Sequence, residues 1–227
     1  MGPVALSGFP CGGLYVILER TYVPEERAES LLAVCLEEGA RAVQYRDKRS
    51  PDVYDLALLR RLAALSDAAG VPFLIDDHPD VAVRVGAHGV HLGRDDAPLV
   101  RARSVLGPGA IIGVSCYNDP ERAREAVREG ADYVAFGSFY PSRTKPGAVR
   151  ATPEVLAHAR PRISRPIVAI GGIDETNGAP LLASGADLLA VSGALFADPD
   201  PTALRARLRR FRVLFPPEGR RGSPTEV

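Results

Sequence analysis

No apolar run in this chain of 227 residues approaches the length of a membrane span. The N-terminus also lacks the charged segment and long apolar stretch of a secretion signal. Cysteine is scarce: Cys11, Cys35 and Cys116 are odd in number, lie far apart and form no CxxC pair. That fits a reduced, cytoplasmic compartment rather than a disulfide scaffold. An excess of one charge is missing too. The 28 basic and 28 acidic residues cancel, which argues against a nucleic-acid partner. Lysine occurs only as Lys48 and Lys145, and side-chain amides only as Asn118, Asn177 and Gln44. Amide depletion of this kind fits a thermophilic source and a GC-rich genome equally well.

What is present is enough for a buried core, with 46% hydrophobic residues. Short apolar runs alternate with longer amphipathic or alanine-rich segments. The runs predict strands at Leu14–Leu18, Ala42–Tyr45, Phe73–Ile75, Gly89–His91, Ile111–Val114, Tyr133–Phe136, Ile167–Ile170 and Leu188–Val191. The segments between them predict helices at Pro24–Glu38, Pro51–Ala69, Pro79–Val85, Leu99–Leu106, Pro120–Glu129, Thr152–Arg160, Glu175–Ser184 and Pro201–Phe211. Several begin with proline, whose missing N–H costs nothing in a first turn, and many stop at a glycine. Continuous rather than alternating apolar strands indicate a parallel sheet buried on both faces. Strict alternation of strand and helix then predicts a single-domain (β/α)8 TIM barrel over residues 13–213; an open doubly wound sheet is the runner-up. The phrases Glu38-Gly39-Ala40, Val85-Gly86-Ala87, Glu129-Gly130-Ala131-Asp132 and Ser184-Gly185-Ala186-Asp187 recur before strands. Such repetition favours the closed barrel. Residues 1–12 are expected to be a loose leader, and residues 214–227, rich in Pro, Gly and charge, a flexible tail.

The densest chemistry follows the sixth strand, in YVAFGSFYPSRTKPGA. Ser142, Arg143, Thr144 and Lys145 place two hydroxyls, a guanidinium and an ammonium in four consecutive residues, a set suited to phosphate or pyrophosphate. Barrel active sites collect at the C-terminal ends of strands, and other polar residues share that location. Gln44, Arg46 and Lys48 follow strand two and alternate onto one face. Asp76 and Asp77 follow strand three, and His91, Arg94, Asp95 and Asp96 strand four. Ser115 follows strand five, Gly171-Gly172 strand seven, and Val191-Ser192-Gly193 ends strand eight. Each could be a turn, a cap or a solvated strand end, and His91 reads as packing beside the acidic loop. Their common address is what indicates an active site. Asp77 and Asp96 are hard oxygen ligands of the kind magnesium takes. Arg46, Lys48 and Lys145 can neutralise a pyrophosphate, while the glycines and Ser192 sit at the standard phosphate position of this fold. The inventory suggests two anion sites, one assisted by Mg2+ and one built of backbone.

With these residues assembled, the chain resembles the thiamine-phosphate synthase family over about residues 14–211. The matching segments are LYVIL, VQYRDK, LIDDHPDVAVRVGAHGVHLGRDD, IIGVS, GADYVAFGSFYPSRTKPGA, PIVAIGGID and GADLLAVSGALF. GIGGI-like and SGALF-like segments occur in many phosphate-binding barrels, whereas QxRxK, HxGxxD and a TxTK-like loop in that order are far more specific. The resemblance implies a cytoplasmic transferase of thiamine biosynthesis. It would join a pyrimidinylmethyl pyrophosphate to a thiazole phosphate, with Mg2+-assisted release of pyrophosphate through a dissociative step. It further implies that Gln44 contacts the pyrimidine, that Arg46, Lys48 and Lys145 hold pyrophosphate, and that Asp77 and Asp96 hold the metal. Ser115 would lie near the leaving group. Ser142, Thr144, Gly172, Val191 and Ser192 would bind the thiazole phosphate. The implied partners are these small molecules, not nucleic acid or membrane, and a homo-oligomer is compatible with them. Two positions depart from the family pattern. Asp76 replaces the usual Asn, and as a substrate-binding carboxylate it would repel pyrophosphate unless protonated or paired with metal or Arg. Ser142 replaces the first Thr of the loop and keeps its hydroxyl. The alternatives are a thiazole tautomerase on the same barrel, whose usual histidine is here Tyr117, and a non-catalytic barrel that senses a phosphate ligand.

Overall fold

The eight apolar runs become eight parallel strands that close a barrel in sequence order. They are β1 (Gly13–Glu19), β2 (Ala42–Arg46), β3 (Phe73–Asp76), β4 (Gly89–Leu92), β5 (Ile111–Tyr117), β6 (Tyr133–Phe136), β7 (Ile167–Ile170) and β8 (Leu188–Val191). Closure is made by β1 on β8, with Gly13 opposite Leu188 and Val16 opposite Val191. The computed structural model describes residues 8–141, 149–198 and 200–215. The helices are α1 (Glu25–Glu37), α2 (Leu56–Ala68), α3 (Pro79–Val85), α4 (Leu99–Leu106), α5 (Pro120–Arg128), α6 (Pro153–Ala159), α7 (Ala179–Ala183), α8 (Gly193–Phe196) and α9 (Pro201–Arg212).

Local chemistry explains where the helices depart from expectation. The segment expected as one helix over Pro51–Ala69 splits, because Ser50 caps a 3-10 turn at Pro51–Val53 and Asp55 starts α2 afresh. The Asp55 carboxylate accepts from the N–H groups of Ala57 and Leu58 at 2.9 and 3.0 Å. Helix α7 begins at Ala179 rather than Glu175, because Asp174 Oδ1 takes the Thr176 N–H, the Thr176 hydroxyl and the Asn177 N–H into a turn. Helix α8 is too short to show a period in sequence.

Alternation along each strand divides the core in two. Outward residues such as Val16, Leu18, Phe73 and Ile75 pack under the helices, while Tyr15, Ile17, Leu74, Ile111, Tyr133 and Val168 fill the barrel. The first segment is not loose throughout. Phe9 is buried, its ring stacked on Tyr133 with centroids 3.8 Å apart, and it closes the N-terminal mouth of the barrel. Burying such a ring contributes about 1.5–3 kcal/mol.

The recurrent glycine phrases precede β2, β4, β6 and β8, that is, every second strand. After three of them the next residue ties two strands together. Asp132 Oδ2 accepts from Ile112 N–H and Asp187 Oδ2 from Ile167 N–H, both at 2.8 Å. His88 Nδ1 accepts from Phe73 N–H at 3.1 Å. Each tie has a charged partner at the helix that precedes the earlier strand: Arg103 of α4 at 2.8 Å, Arg160 just past α6 at 2.7 Å, and Asp67 of α2, 3.4 Å from His88. The repeating unit of the barrel is therefore a pair of βα units.

Candidate active site

At the C-terminal end of the strands lies a cavity of about 560 Å³. It is lined by Gln44, Arg46, Lys48, Asp76, Asp77, Asp96, Ser115, Gly172, Val191 and Ser192, the expected site residues that fall among those described. Ser142, Thr144 and Lys145, with Arg143, lie outside the described residues. Pro141, immediately before them, lines the cavity.

One wall is ionic. Arg46, at the end of β2, pairs with Glu19 at the end of β1 and places Nε 3.4 Å from Asp76 Oδ2. Lys48 donates to Asp76 Oδ2 at 2.7 Å and also to Asp77. Gln44 Nε2 donates to Asp76 Oδ1 at 2.6 Å. The Asp76 carboxyl thus lies against two cations and an amide, meeting the condition that pairing with Arg must offset a carboxylate at this position. Alternation also holds for the opposite face of this segment: Tyr45 packs edge-on to Tyr54, and Asp47 is buried and takes Arg49 at 2.6 Å.

Asp77 sits at φ +62°, with the His78 N–H bonded back to the Asp76 carbonyl at 2.8 Å. This tight three-residue turn is strained for a non-glycine residue, and it swings Asp77 toward the β4 loop. There Asp96 Oδ2 accepts from Gly93 N–H at 2.5 Å. Burial pushes the Asp77 carboxyl up, but the hydrogen bonds from Lys48 and with Asp96 outweigh it and leave the group below the ordinary aspartate value. Burial, and then the hydrogen bond with Asp77, hold Asp96 above that value. Desolvation works against the Lys48 charge, yet Asp76 and Asp77 raise its pKa overall.

Glu19, Asp76 and Asp77 take Arg46 and Lys48 as their ion-pair partners in this wall, and Asp96 leans on Asp77 and the Gly93 N–H. No group of three or more His, Cys, Asp or Glu suited to a metal occurs among the described residues. The donor set is instead a carboxylate pair, which suits a hard divalent ion that completes its shell with water and phosphate oxygens. The raised Asp96 carboxyl is the local sign that a cation would be welcome.

The other wall is backbone and hydroxyl. Gly172 has φ +65°, and a Cβ there would lie 2.4 Å from the Pro141 carbonyl oxygen, so the position admits only glycine. Ser192 precedes α8, the short extra helix after strand eight, and its buried hydroxyl has no hydrogen-bond partner among the described residues. An orphaned hydroxyl beside the unpaired N–H groups of a helix start is an acceptor-seeking surface.

Several lining residues escaped the sequence reading. Glu19 follows strand one by the same rule that located the others, and the polar pair Glu19-Arg20 was the signal. Tyr22, Ser138 and Asp174 also line the cavity, as does Arg94, which the sequence places after strand four. Tyr117 does more than stand where a tautomerase has histidine. Its hydroxyl accepts from Arg94 N–H at 3.2 Å, its ring carries the Arg94 guanidinium at 4.7 Å, and it steadies the loop bearing Asp96. His91 does not merely pack: it bonds Ser115 and Tyr133 and faces the cavity.

The thiamine monophosphate synthase family model matches residues 14–195. The chain belongs to this family. A thiamine-phosphate synthase of Thiobacillus denitrificans is 48% identical over 211 residues, spanning 92% of this chain and 99% of the relative. One of Marinobacter nauticus is 47% identical over 203 residues, spanning 89% and 90%. Among solved structures, thiamine phosphate pyrophosphorylase from Pyrococcus furiosus superposes with a TM-score of 0.78 at 34% identity, covering 88% of this chain and 94% of that one. Among the described residues no helix is long and apolar enough to cross a membrane.

Proposed function

We propose that this protein is a thiamine-phosphate synthase of the cytoplasm. It is a transferase that joins 4-amino-2-methyl-5-pyrimidinylmethyl pyrophosphate to a thiazole phosphate and releases pyrophosphate. The observation that carries the reading is the division of one cavity into an acid-and-cation wall and a glycine-and-hydroxyl wall, because two phosphorylated substrates need two different anion sites. The relatives at 47% and 48% identity bear the same activity in their names, and they favour this reading over a tautomerase or a ligand-sensing barrel.

In this reading Gln44 contacts the pyrimidine, and Arg46, Lys48 and Lys145 hold the pyrophosphate. Asp77 and Asp96 hold Mg2+, with Asp76 setting the positions of Gln44, Arg46 and Lys48. Bound there, Mg2+ supplies Lewis-acid stabilisation to the pyrophosphate oxygens. Lys48 and Arg46 add fixed positive charge where negative charge grows as the pyrimidinylmethyl carbon–oxygen bond breaks. Ser115 lies near the leaving group. Ser142, Thr144, Gly172 and the backbone of Val191 and Ser192 hold the thiazole phosphate so that its ring nitrogen forms the new carbon–nitrogen bond. Catalysis is electrostatic and positional, with no general base required of the four histidines. The test is to mix the two phosphorylated precursors with Mg2+ and the protein. Thiamine phosphate is the expected product; its absence, with turnover of a thiazole carboxylate tautomer instead, would contradict the reading.

A further inference from the structure

A line of hydrogen bonds crosses the barrel just beneath the cavity floor and joins six strands. Ser115 Oγ is 2.9 Å from His91 Nε2, and His91 Nδ1 is 2.8 Å from Tyr133 Oη. Tyr133 Oη is 2.8 Å from Tyr15 Oη, which is 3.2 Å from Gln44 Oε1; Gln44 Nε2 then reaches Asp76 Oδ1 at 2.6 Å. The two tyrosines are fully buried. Their meeting is built in: a Cβ on Gly113 would fall 2.0 Å from the Tyr133 ring, so glycine in β5 makes the space that the ring occupies.

The direction of every donor in this line follows from one end. Asp76 Oδ2 takes Lys48 Nζ at 2.7 Å with Arg46 Nε 3.4 Å away, which places this side chain as the acceptor at the end of the line. The Gln44 group facing it must therefore be the NH2, which turns the amide oxygen to Tyr15. Tyr15 spends its single proton on that oxygen, so it accepts from Tyr133. Tyr133 spends its own proton on Tyr15, so it accepts from His91, and His91 must carry a proton on Nδ1. A ring protonated at Nδ1 alone accepts at Nε2, so Ser115 donates there. Burial pushes both phenol pKa values up, which keeps the two protons in place.

We propose that Tyr15 and Tyr133 are positioning residues that carry one donor direction across the barrel, fixing the amide of Gln44 at one end and the tautomer of His91, and through it the hydroxyl of Ser115, at the other. The proposal rests on the synthase reading only for its kinetic consequence. A buried network that merely satisfies its own polar atoms would need no fixed direction.

Nitrogen-15 NMR of the histidine ring in the ligand-free protein reads the tautomer without any turnover, so it is independent of which reaction is catalysed. The wild-type His91 ring is expected to be protonated at Nδ1. A ring protonated at Nε2 alone overturns the proposal, even if no variant folds. In Tyr133→Phe the Nδ1 proton loses its acceptor, and the ring should move toward the Nε2-protonated form. In Tyr15→Phe the line is cut in the middle, Tyr133 can donate either way, and a mixture is expected. Kinetically, Tyr133→Phe should lower kcat about tenfold with little change in KM, whereas Tyr15→Phe should chiefly raise KM for the pyrimidine substrate, by about fivefold. Unchanged tautomers in both variants, or equal effects on the two kinetic constants, would reduce both tyrosines to ordinary core residues.

Discussion

The ammonium of Lys48 donates to the Asp76 carboxylate at 2.7 Å, in the place where a bound pyrophosphate would need that ammonium. In the proposed function the acid would therefore compete with the anionic ligand for the same cation, while it also anchors Gln44. Asp76→Asn keeps an acceptor for Gln44 and removes the competing charge. The expected outcome is a KM for the pyrophosphate substrate lowered about threefold to tenfold, equivalent to about 1 kcal/mol. Steady-state kinetics with the thiazole phosphate saturating checks it; a raised KM would show that Asp76 helps to hold the substrate directly.

Gly172→Ala tests the second anion wall. Its Cβ would meet the Pro141 carbonyl oxygen at 2.4 Å, and φ +65° is strained for alanine. The loop of residues 138–141 must then move away from the cavity rim. KM for the thiazole phosphate should rise at least about tenfold while the affinity for inorganic pyrophosphate, measured by calorimetry, stays the same, since a close approach and not the whole barrel is disturbed.

Lys145→Ala tests the proposed third pyrophosphate cation. Loss of one fixed charge beside a departing pyrophosphate should lower kcat by about 10²-fold or more. The thermal midpoint is expected to stay within about 2 °C. A kcat close to wild type would remove Lys145 from the site.

His88 makes folding pH-sensitive away from the active site. Burial lowers its pKa below the ordinary histidine value, although Asp67 pulls the other way. The unfolded chain therefore binds this proton more readily than the folded one. Stability is complete above about pH 6.5, the unfolded value, and falls as pH drops toward the lower folded value. Denaturant melts between pH 7.5 and 5.5 should show a loss of stability that is smaller in His88→Gln, whose side-chain oxygen can still accept from Phe73 N–H.

Much of this molecule could be read from its residues. Strands β6, β7 and β8 begin and end where the apolar runs do, because residues such as Val134, Val168 and Leu189 are packed on every side and leave no polar gap in the run. The location of the site was legible from a single rule, that chemistry collects after strand ends, and the same rule pointed to Glu19. Other features were not legible. Tyr15 and Tyr133 are 118 residues apart, and only barrel closure brings their hydroxyls together. The pairing of Arg46 with Glu19, and of Lys48 with both aspartates, is likewise a product of neighbouring strands. In sequence those cations look available for a ligand. The two-unit repeat was visible as phrases, but its cause lies in backbone ties from Asp132, Asp187 and His88 that no local pattern announces.

At the centre of the account is the claim that the carboxylate pair Asp77–Asp96 holds a divalent cation that in turn holds pyrophosphate. A crystal structure of the protein soaked with Mg2+ and pyrophosphate measures this directly. The expected result is one metal ion between Asp77 and Asp96, bonded to pyrophosphate oxygens, with Lys48 Nζ moved from the aspartates onto the anion. Pyrophosphate bound with no metal at these two residues, and Lys48 still on Asp76 and Asp77, would contradict it.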